Sequence, residues 1–151
     1  MRNEIAEALK SAQKSKTKHR ISTLRLVLAA IGDRDIALRG KGKDKADEEE
    51  VLDILTKMIK QRLESSKIYR EGGRPELESQ ELEEIEIIRE FLPRQLDEQE
   101  SSAVIQAAIE ETGAESLRDM GKVMGALKAK YRGQLDMGKA GAAIKQALGG
   151  S

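Results

Sequence analysis

The sequence is notable first for the residues it lacks: among 151 residues it has no cysteine, no tryptophan and one histidine. Without cysteine it forms no disulfide, and its composition suits a reducing compartment. One histidine leaves almost no material for a serine or cysteine catalytic triad. Aromatic residues are 2% of the chain, which disfavours β-sandwiches and barrels. We therefore expect almost no strand.

Long hydrophobic runs and catalytic motifs are also missing. The apolar runs are a few residues long, far short of the ~20 that span a membrane, and the N-terminus has no apolar signal-peptide core. Neither a His-Glu-x-x-His pattern nor a P-loop is present. The acidic runs at 47–50 and 83–86 are more typical of helix N-terminal charge and solvated faces than of a metal site. We predict no catalytic residue, metal or cofactor, and a cytoplasmic location without membrane contact.

The residues that are abundant favour helix. Ala, Leu, Lys, Glu, Arg and Ile dominate, and apolar residues recur at three-four spacing between glycine and proline stops. We predict an all-α protein, with a four-helix N-terminal domain over residues 1–93 and a three-helix C-terminal domain over 94–151. The expected helices cover 2–15, 19–39, 47 to a stop at 72–73, 75–91, 97–112, 116–133 and 136–149.

Charge is strongly segregated although the chain has 27 basic and 27 acidic residues. Residues 1–45 hold 12 Lys/Arg and 5 Asp/Glu, a net +7. Residues 46–93 hold 7 and 14, a net −7, and residues 115–151 hold 7 and 3, a net +4. Local charge is therefore more informative about partners than overall neutrality.

The most informative pattern is a repeat in the last third of the chain. Asp119-Met-Gly-Lys122 recurs 17 residues later as Asp136-Met-Gly-Lys139. The offset aligns residues 119–133 with 136–150, and seven of these 15 pairs are identical. The identical pairs are Asp119/Asp136, Met120/Met137, Gly121/Gly138, Lys122/Lys139, Ala126/Ala143, Lys128/Lys145 and Gly133/Gly150. The repeat predicts two similar short helices with glycines and lysines at fixed places.

A helical wheel at 100° per residue divides each of these helices into two faces. In the sixth helix the expected inner face holds Met120, Val123, Met124, Leu127 and Tyr131. Its expected outer face holds Gly121, Gly125, Lys128 and Arg132. In the seventh helix Met137, Ala140, Gly141, Ile144 and Leu148 are expected inside, and Gly138, Ala142 and Lys145 outside.

The outer glycines Gly121 and Gly125 require an explanation, because glycine inside a helix costs about 1 kcal/mol relative to alanine. One interpretation is that they let a phosphate backbone approach closely while neighbouring Lys and Arg neutralise it. A second is close packing on another helix of this chain. A third is that Gly121 lies in the first turn, where glycine costs less.

One further polar residue stands out. Arg62 and Ser66 fall in the middle of the apolar face of the third helix, where an arginine must be paired or reach a cleft. In an antiparallel hairpin, Glu81 and Glu84 come within reach. The arginine is either half of a structural ion pair or a polar contact in a groove between the domains. His19 is expected to be solvated.

Several motifs together resemble the YqeY family over essentially the whole chain. They are Leu24-Arg-Leu-Val-Leu-Ala-Ala30, Lys57-Met-Ile-Lys-Gln-Arg62, Tyr69-Arg-Glu-Gly-Gly-Arg74, Phe91-Leu-Pro-Arg-Gln-Leu96 and Asp119-Met-Gly-Lys-Val-Met-Gly125. The tail is also similar to the C-terminal domain of the B subunit of glutamine-dependent aspartyl/glutamyl-tRNA amidotransferase. In that enzyme the tail grips tRNA and the chemistry occurs in a domain without a counterpart here.

The resemblance implies tRNA binding more than amide transfer. From the tail motif it places Gly121, Lys122 and Gly125 in the nucleic-acid contact, and the wheel adds Lys128, Arg132, Lys139 and Lys145. The chain departs from an ideal repeat at Ala142, which stands opposite Gly125. Family members are often labelled carbon–nitrogen ligases with glutamine as amido donor, a label we regard as inherited from the larger enzyme. We expect a tRNA-binding accessory, or alternatively a module that docks an amidotransferase or aminoacyl-tRNA synthetase subunit.

Overall fold

The computed structural model describes residues 1–149, and the regular secondary structure of this part of the chain is all helical, which confirms the predicted fold class. Seven α-helices and one short 3₁₀ turn follow in order along these residues. They are α1 (Arg2–Ser15), α2 (Lys18–Arg39), α3 (Glu48–Glu71), α4 (Pro75–Arg89), α5 (Glu98–Thr112), the 3₁₀ turn (Leu117–Asp119), α6 (Met120–Tyr131) and α7 (Met137–Gly149). No helix within residues 1–149 combines the length and hydrophobicity that crossing a membrane requires.

The chain divides into two compact units, Met1–Leu92 and a second that begins at Pro93. The helix ends follow local chemistry. The Glu50 amide donates to the Asp47 side chain at 2.9 Å and so caps α3. Asp97 and Glu100 form a reciprocal capping box at the start of α5. Gly113 ends α5 with φ +65°, a left-handed conformation that favours glycine.

The first unit encloses one hydrophobic core between α1, α2, α3 and α4. The turn at Gly72 and Gly73 joins α3 to α4, and Gly73 has φ +71°. The Arg74 amide donates to the Tyr69 carbonyl at 2.8 Å across this turn. The buried side chains are Ile5, Ala12, Leu24, Val27, Ile31, Leu38, Ala46, Val51, Leu55, Met58, Ile59, Ile85, Ile87 and Ile88.

An ion pair fastens the first residues of the chain to this unit. Arg2 donates two hydrogen bonds to the buried Asp35 of α2, at 2.6 and 3.0 Å. The Ala46 amide donates to Asp35 Oδ1 at 2.7 Å, and Arg2 also donates to the Ala46 carbonyl at 3.1 Å. The Arg2 hydrogen bond, reinforced by that of the Ala46 amide, holds the pKa of Asp35 well below its usual range.

This pair predicts acid sensitivity of the first unit. Since the pKa of Asp35 is lower in the folded state than the unfolded value of about 3.9, its contribution to stability is present above about pH 4. It is lost as pH falls towards the folded pKa. We expect the urea midpoint to fall between about pH 5 and pH 2, and less steeply for Asp35→Asn. Identical pH slopes for the two proteins would contradict the prediction.

The second unit packs α5, α6 and α7 around a smaller core. Its buried side chains are Ile105, Ala108, Val123, Leu127, Leu135, Ala140 and Ile144. The segment before α5 is fastened to the segment after α6, because the Leu96 amide donates to the Gln134 carbonyl at 2.9 Å. This unit carries the sequence repeat.

Candidate nucleic-acid interface

The two copies of Asp-Met-Gly-Lys both begin helices. Met120 and Met137 are the first residues of α6 and α7, and both are partly buried against the core. The following glycine and lysine of each copy are exposed. Identical sequence therefore places an exposed lysine in the first turn of both helices. Gly150, the partner of Gly133 in the repeat, lies outside the described residues.

The aspartate side chains of the two copies accept hydrogen bonds from different backbone segments. The Asp136 side chain accepts from the Gly138 and Lys139 amides at 2.9 and 3.1 Å, and so caps α7. The Asp119 side chain instead accepts from the Glu115 amide at 3.0 Å and more weakly from the Ser116 amide. These backbone hydrogen bonds lower the pKa of Asp119. Both copies therefore expose their glycine and lysine, but their aspartates accept hydrogen bonds from different backbone amides.

The wheel assigns the faces of both helices correctly except at Arg132. Every residue predicted on an inner face is buried or partly buried: Met120, Val123, Met124, Leu127 and Tyr131 in α6, and Met137, Ala140, Gly141, Ile144 and Leu148 in α7. The predicted outer residues of these two helices are exposed: Gly121, Gly125 and Lys128 in α6, and Gly138, Ala142 and Lys145 in α7.

Gly121 and Gly125 face open space. A Cβ built on either residue would meet no atom of the described chain within 4 Å. Within the second unit, close packing on another helix therefore does not explain these glycines. Gly141 provides a contrast, because its added Cβ would lie 3.5 Å from Met120 Cε. The outer glycines leave a smooth strip of helix surface that an external ligand can approach closely.

The open glycine predicts a gain in stability on substitution. Gly125 lies inside α6 with empty space around it, so Gly125→Ala should stabilise the fold by about 1 kcal/mol. The expected rise in the Tm of the second unit is about 4–8 °C, measured by thermal unfolding of the full chain. Gly113→Ala is the matched control, because Gly113 is equally uncrowded but has φ +65°. That change should destabilise; a gain of similar size in both variants would contradict the explanation.

The lysines beside this strip are free for an outside partner. Lys122, Lys128, Lys139 and Lys145 are exposed, and within residues 1–149 none of them lies within 4.0 Å of a carboxylate oxygen. Lys130, on another side of α6, pairs with Glu111 at 3.0 Å. Because none of the four lysines forms an ion pair among residues 1–149, they make a cationic surface over α6 and α7.

Arg132 departs from its predicted position. The sixth helix was expected to reach Gly133 but ends at Tyr131, and Arg132 is its C-cap with ψ 129°. The side chain is partly buried and has an interaction within the chain. Because the helix ends early, Arg132 does not continue the exposed strip that the wheel predicted.

Arg62 forms an ion pair inside its own unit, which agrees with the first of its two interpretations, a structural ion pair. Its Nε lies 3.4 Å from Glu84 Oε1, and its Nη1 donates to the Met58 carbonyl at 3.2 Å. Glu81, the other expected partner, is not within ion-pairing distance. Its pKa is raised, because burial and the charge of Glu84 outweigh the attraction of Arg62.

His19 was expected to be solvated, and it is partly exposed but also contacts two carboxylates. Its Nδ1 lies 3.0 Å from Glu83 Oε2, and its Nε2 lies 3.6 Å from Glu84 Oε2. The histidine thus links the start of α2 to the Arg62–Glu84 pair on α3 and α4. Over residues 1–149, no group of three or more His, Asp and Glu side chains is arranged to hold a metal ion.

Comparison with known protein families identifies the family of this sequence. The family model described as Yqey-like protein matches residues 2–148, almost the whole sequence. The chain belongs to the YqeY family. Among curated proteins, this YqeY-family chain is similar to "Altered inheritance of mitochondria protein 41, mitochondrial" of Saccharomyces cerevisiae. The proteins from strains S288c, YJM789 and RM11-1a are each 33% identical to it over 84 residues. The match covers 56% of the YqeY-family chain and 44% of each yeast protein, so the chain spans less than half of these relatives.

Proposed function

We propose that this YqeY-family protein binds tRNA through the outer faces of α6 and α7, as an accessory to amidotransferase or aminoacylation chemistry performed by other proteins. We also propose that it works in the cytoplasm, where its cysteine-free composition is suited to a reducing environment. The proposal assigns the chain no catalytic centre of its own.

One observation carries the proposal: exposed, uncrowded glycines lie beside lysines that form no ion pair within the described residues 1–149. Gly121 and Gly125 leave room for a phosphate backbone, and Lys122 and Lys128 provide positive charge on the same helix. Lys139 and Lys145 add charge on α7. Phosphate contacts of this kind position a protein on nucleic acid without reading its sequence. The similarity of the tail to the amidotransferase domain that grips tRNA supports tRNA as the nucleic acid.

A salt titration tests the proposal directly. Each lysine that neutralises a phosphate releases counterions, so log K should fall linearly with log salt concentration. Four such contacts give a slope of about −3 to −4. The measurement is fluorescence anisotropy of labelled unfractionated tRNA against the full chain. Absence of binding even at low salt, or binding that does not change with salt, would refute the proposal.

A second candidate, a protein-docking module, is favoured by a different surface. Leu26 and Ile36 on α2 are 49% and 65% exposed, so this helix presents two large aliphatic side chains to the outside. This surface, rather than Arg62, is where such a module would receive a synthetase or amidotransferase subunit. A complex with a purified subunit that resists nuclease and is lost in Ile36→Glu would support this candidate. Loss after nuclease treatment would count against it.

A further inference from the structure

A shallow hollow lies on the outer face of α7, beside the 3₁₀ turn that precedes α6. It has a volume of about 340 Å³ and is lined by Leu117, Ala142, Lys145, Gln146 and Gly149. Leu117 is half exposed although it is a large aliphatic residue. The hollow therefore presents an apolar wall to the outside, next to a cationic side chain and a primary amide.

The hollow occurs where the two copies of the repeat differ. Gly125 and Ala129 of α6 correspond to Ala142 and Gln146 of α7 in the 17-residue offset. A Cβ added at Gly149 would lie 3.2 Å from three carbon atoms of Leu117, so glycine is what allows this leucine to rest against α7. The α6 face is thus bare, whereas the α7 face has an apolar contact and an added amide.

The lining has the chemistry of a nucleobase site. The Gln146 amide offers donors and an acceptor for a base edge, and the Lys145 ammonium offers charge for a phosphate. Neither side chain has a partner among residues 1–149. Proteins that recognise RNA specifically do so mainly at unpaired bases, which expose both a flat face and a hydrogen-bonding edge. The volume is at the lower end of the range for ligand pockets, which suits one base better than a large cofactor.

We propose that this hollow receives one unpaired nucleobase of the bound RNA. The base lies against Leu117 and Ala142, its edge meets the Gln146 amide, and its phosphate meets Lys145. The inference rests on the proposed RNA binding and adds to it a division of roles. The outer face of α6 contacts the phosphate backbone of the RNA. The outer face of α7 distinguishes RNA with unpaired bases from continuous duplex.

Two RNA probes and three variants test this division. The probes are a hairpin with an unpaired loop and a blunt duplex with the same stem sequence. Gln146→Ala removes the amide, and Ala142→Leu fills the hollow from an exposed helical position. Ala147→Leu is the matched control, since it makes the same change at an exposed α7 position outside the hollow. Circular dichroism of each variant verifies the fold.

Wild type and Ala147→Leu should prefer the hairpin over the duplex. Gln146→Ala and Ala142→Leu should lose about tenfold in hairpin affinity, with duplex affinity changed by less than about twofold. If Ala142→Leu binds the hairpin as tightly as Ala147→Leu does, the inference is overturned and the proposed function is left intact. If the wild-type protein binds none of the three RNAs (tRNA, hairpin or duplex), the proposed function itself is refuted.

Discussion

Reversing the charge of Lys122 and Lys128 should weaken tRNA binding about a hundredfold at moderate salt. Each wild-type lysine attracts a phosphate, whereas each glutamate repels it, so the double variant loses two contacts and gains two repulsions. The slope of log K against log salt should become shallower by about 2. Both quantities come from one anisotropy titration of Lys122→Glu/Lys128→Glu at several salt concentrations.

The control must separate a local contact from a general effect of net charge. Lys57 and Lys60 on α3 are exposed, and Lys57→Glu/Lys60→Glu changes the net charge by the same amount. If binding occurs on α6 and α7, this control should stay within about threefold of wild type. Equal weakening by the two double variants would mean that nonspecific attraction accounts for the binding. Neither pair of lysines is buried, so both variants should fold.

How much of the site could be predicted from the sequence depends on the range of the interactions involved. The faces of α6 and α7 are a property of helical geometry, so a wheel assigned Leu127 inside and Gly125 outside correctly. The capping of the two copies depends on the residues that precede them. Ser116 begins a 3₁₀ turn in which the Asp119 side chain accepts hydrogen bonds from amides that precede it. The Asp136 side chain instead accepts from amides of its own helix. Identical tetrapeptides thus received different backbone partners.

Contacts between distant residues were predicted only where a polar residue interrupted an apolar face. Arg62 was found in this way, and its partner Glu84 followed from the hairpin. Asp35 has the same signal, because it lies at four- and three-residue spacing from Ile31 and Leu38, yet its partner Arg2 is 33 residues away. His19 gave no signal, since it begins a helix among basic residues and meets Glu83 only through the packing of α2 on α4.

The hollow beside Leu117 was not predictable from the repeat alone. Ala142 departs from the repeat, and its methyl group, where Gly125 has only a hydrogen, hinders close approach of a phosphate. The structure adds that this methyl group forms part of an apolar wall together with Leu117, a residue outside both copies. The methyl group of Ala142 therefore hinders close approach of a phosphate and at the same time contributes to the apolar wall of the proposed base site.

Removing Glu84 should destabilise the first unit by about 3 kcal/mol. Arg62 and Glu84 are only 14% and 17% exposed, so Glu84→Ala leaves a largely buried guanidinium without its counter-charge. Arg62 Nε is buried and makes no hydrogen bond in the described chain, so the Glu84 carboxylate 3.4 Å away is what offsets its charge. His19 also loses one of its two carboxylate contacts. The expected fall in Tm of the first unit is about 10–20 °C, measured by thermal unfolding.

Glu86→Ala on the same helix is the matched control. Glu86 is 71% exposed and, among residues 1–149, pairs with Arg89 alone, three residues later, so its loss should cost less than about 0.5 kcal/mol. Adding Arg62→Met to Glu84→Ala should restore most of the lost stability, because methionine fills similar space without a charge. Equal effects of Glu84→Ala and Glu86→Ala would show that water already screens Arg62. Restoration by Arg62→Met would show that the penalty arises from the unpaired guanidinium rather than from lost packing of Glu84.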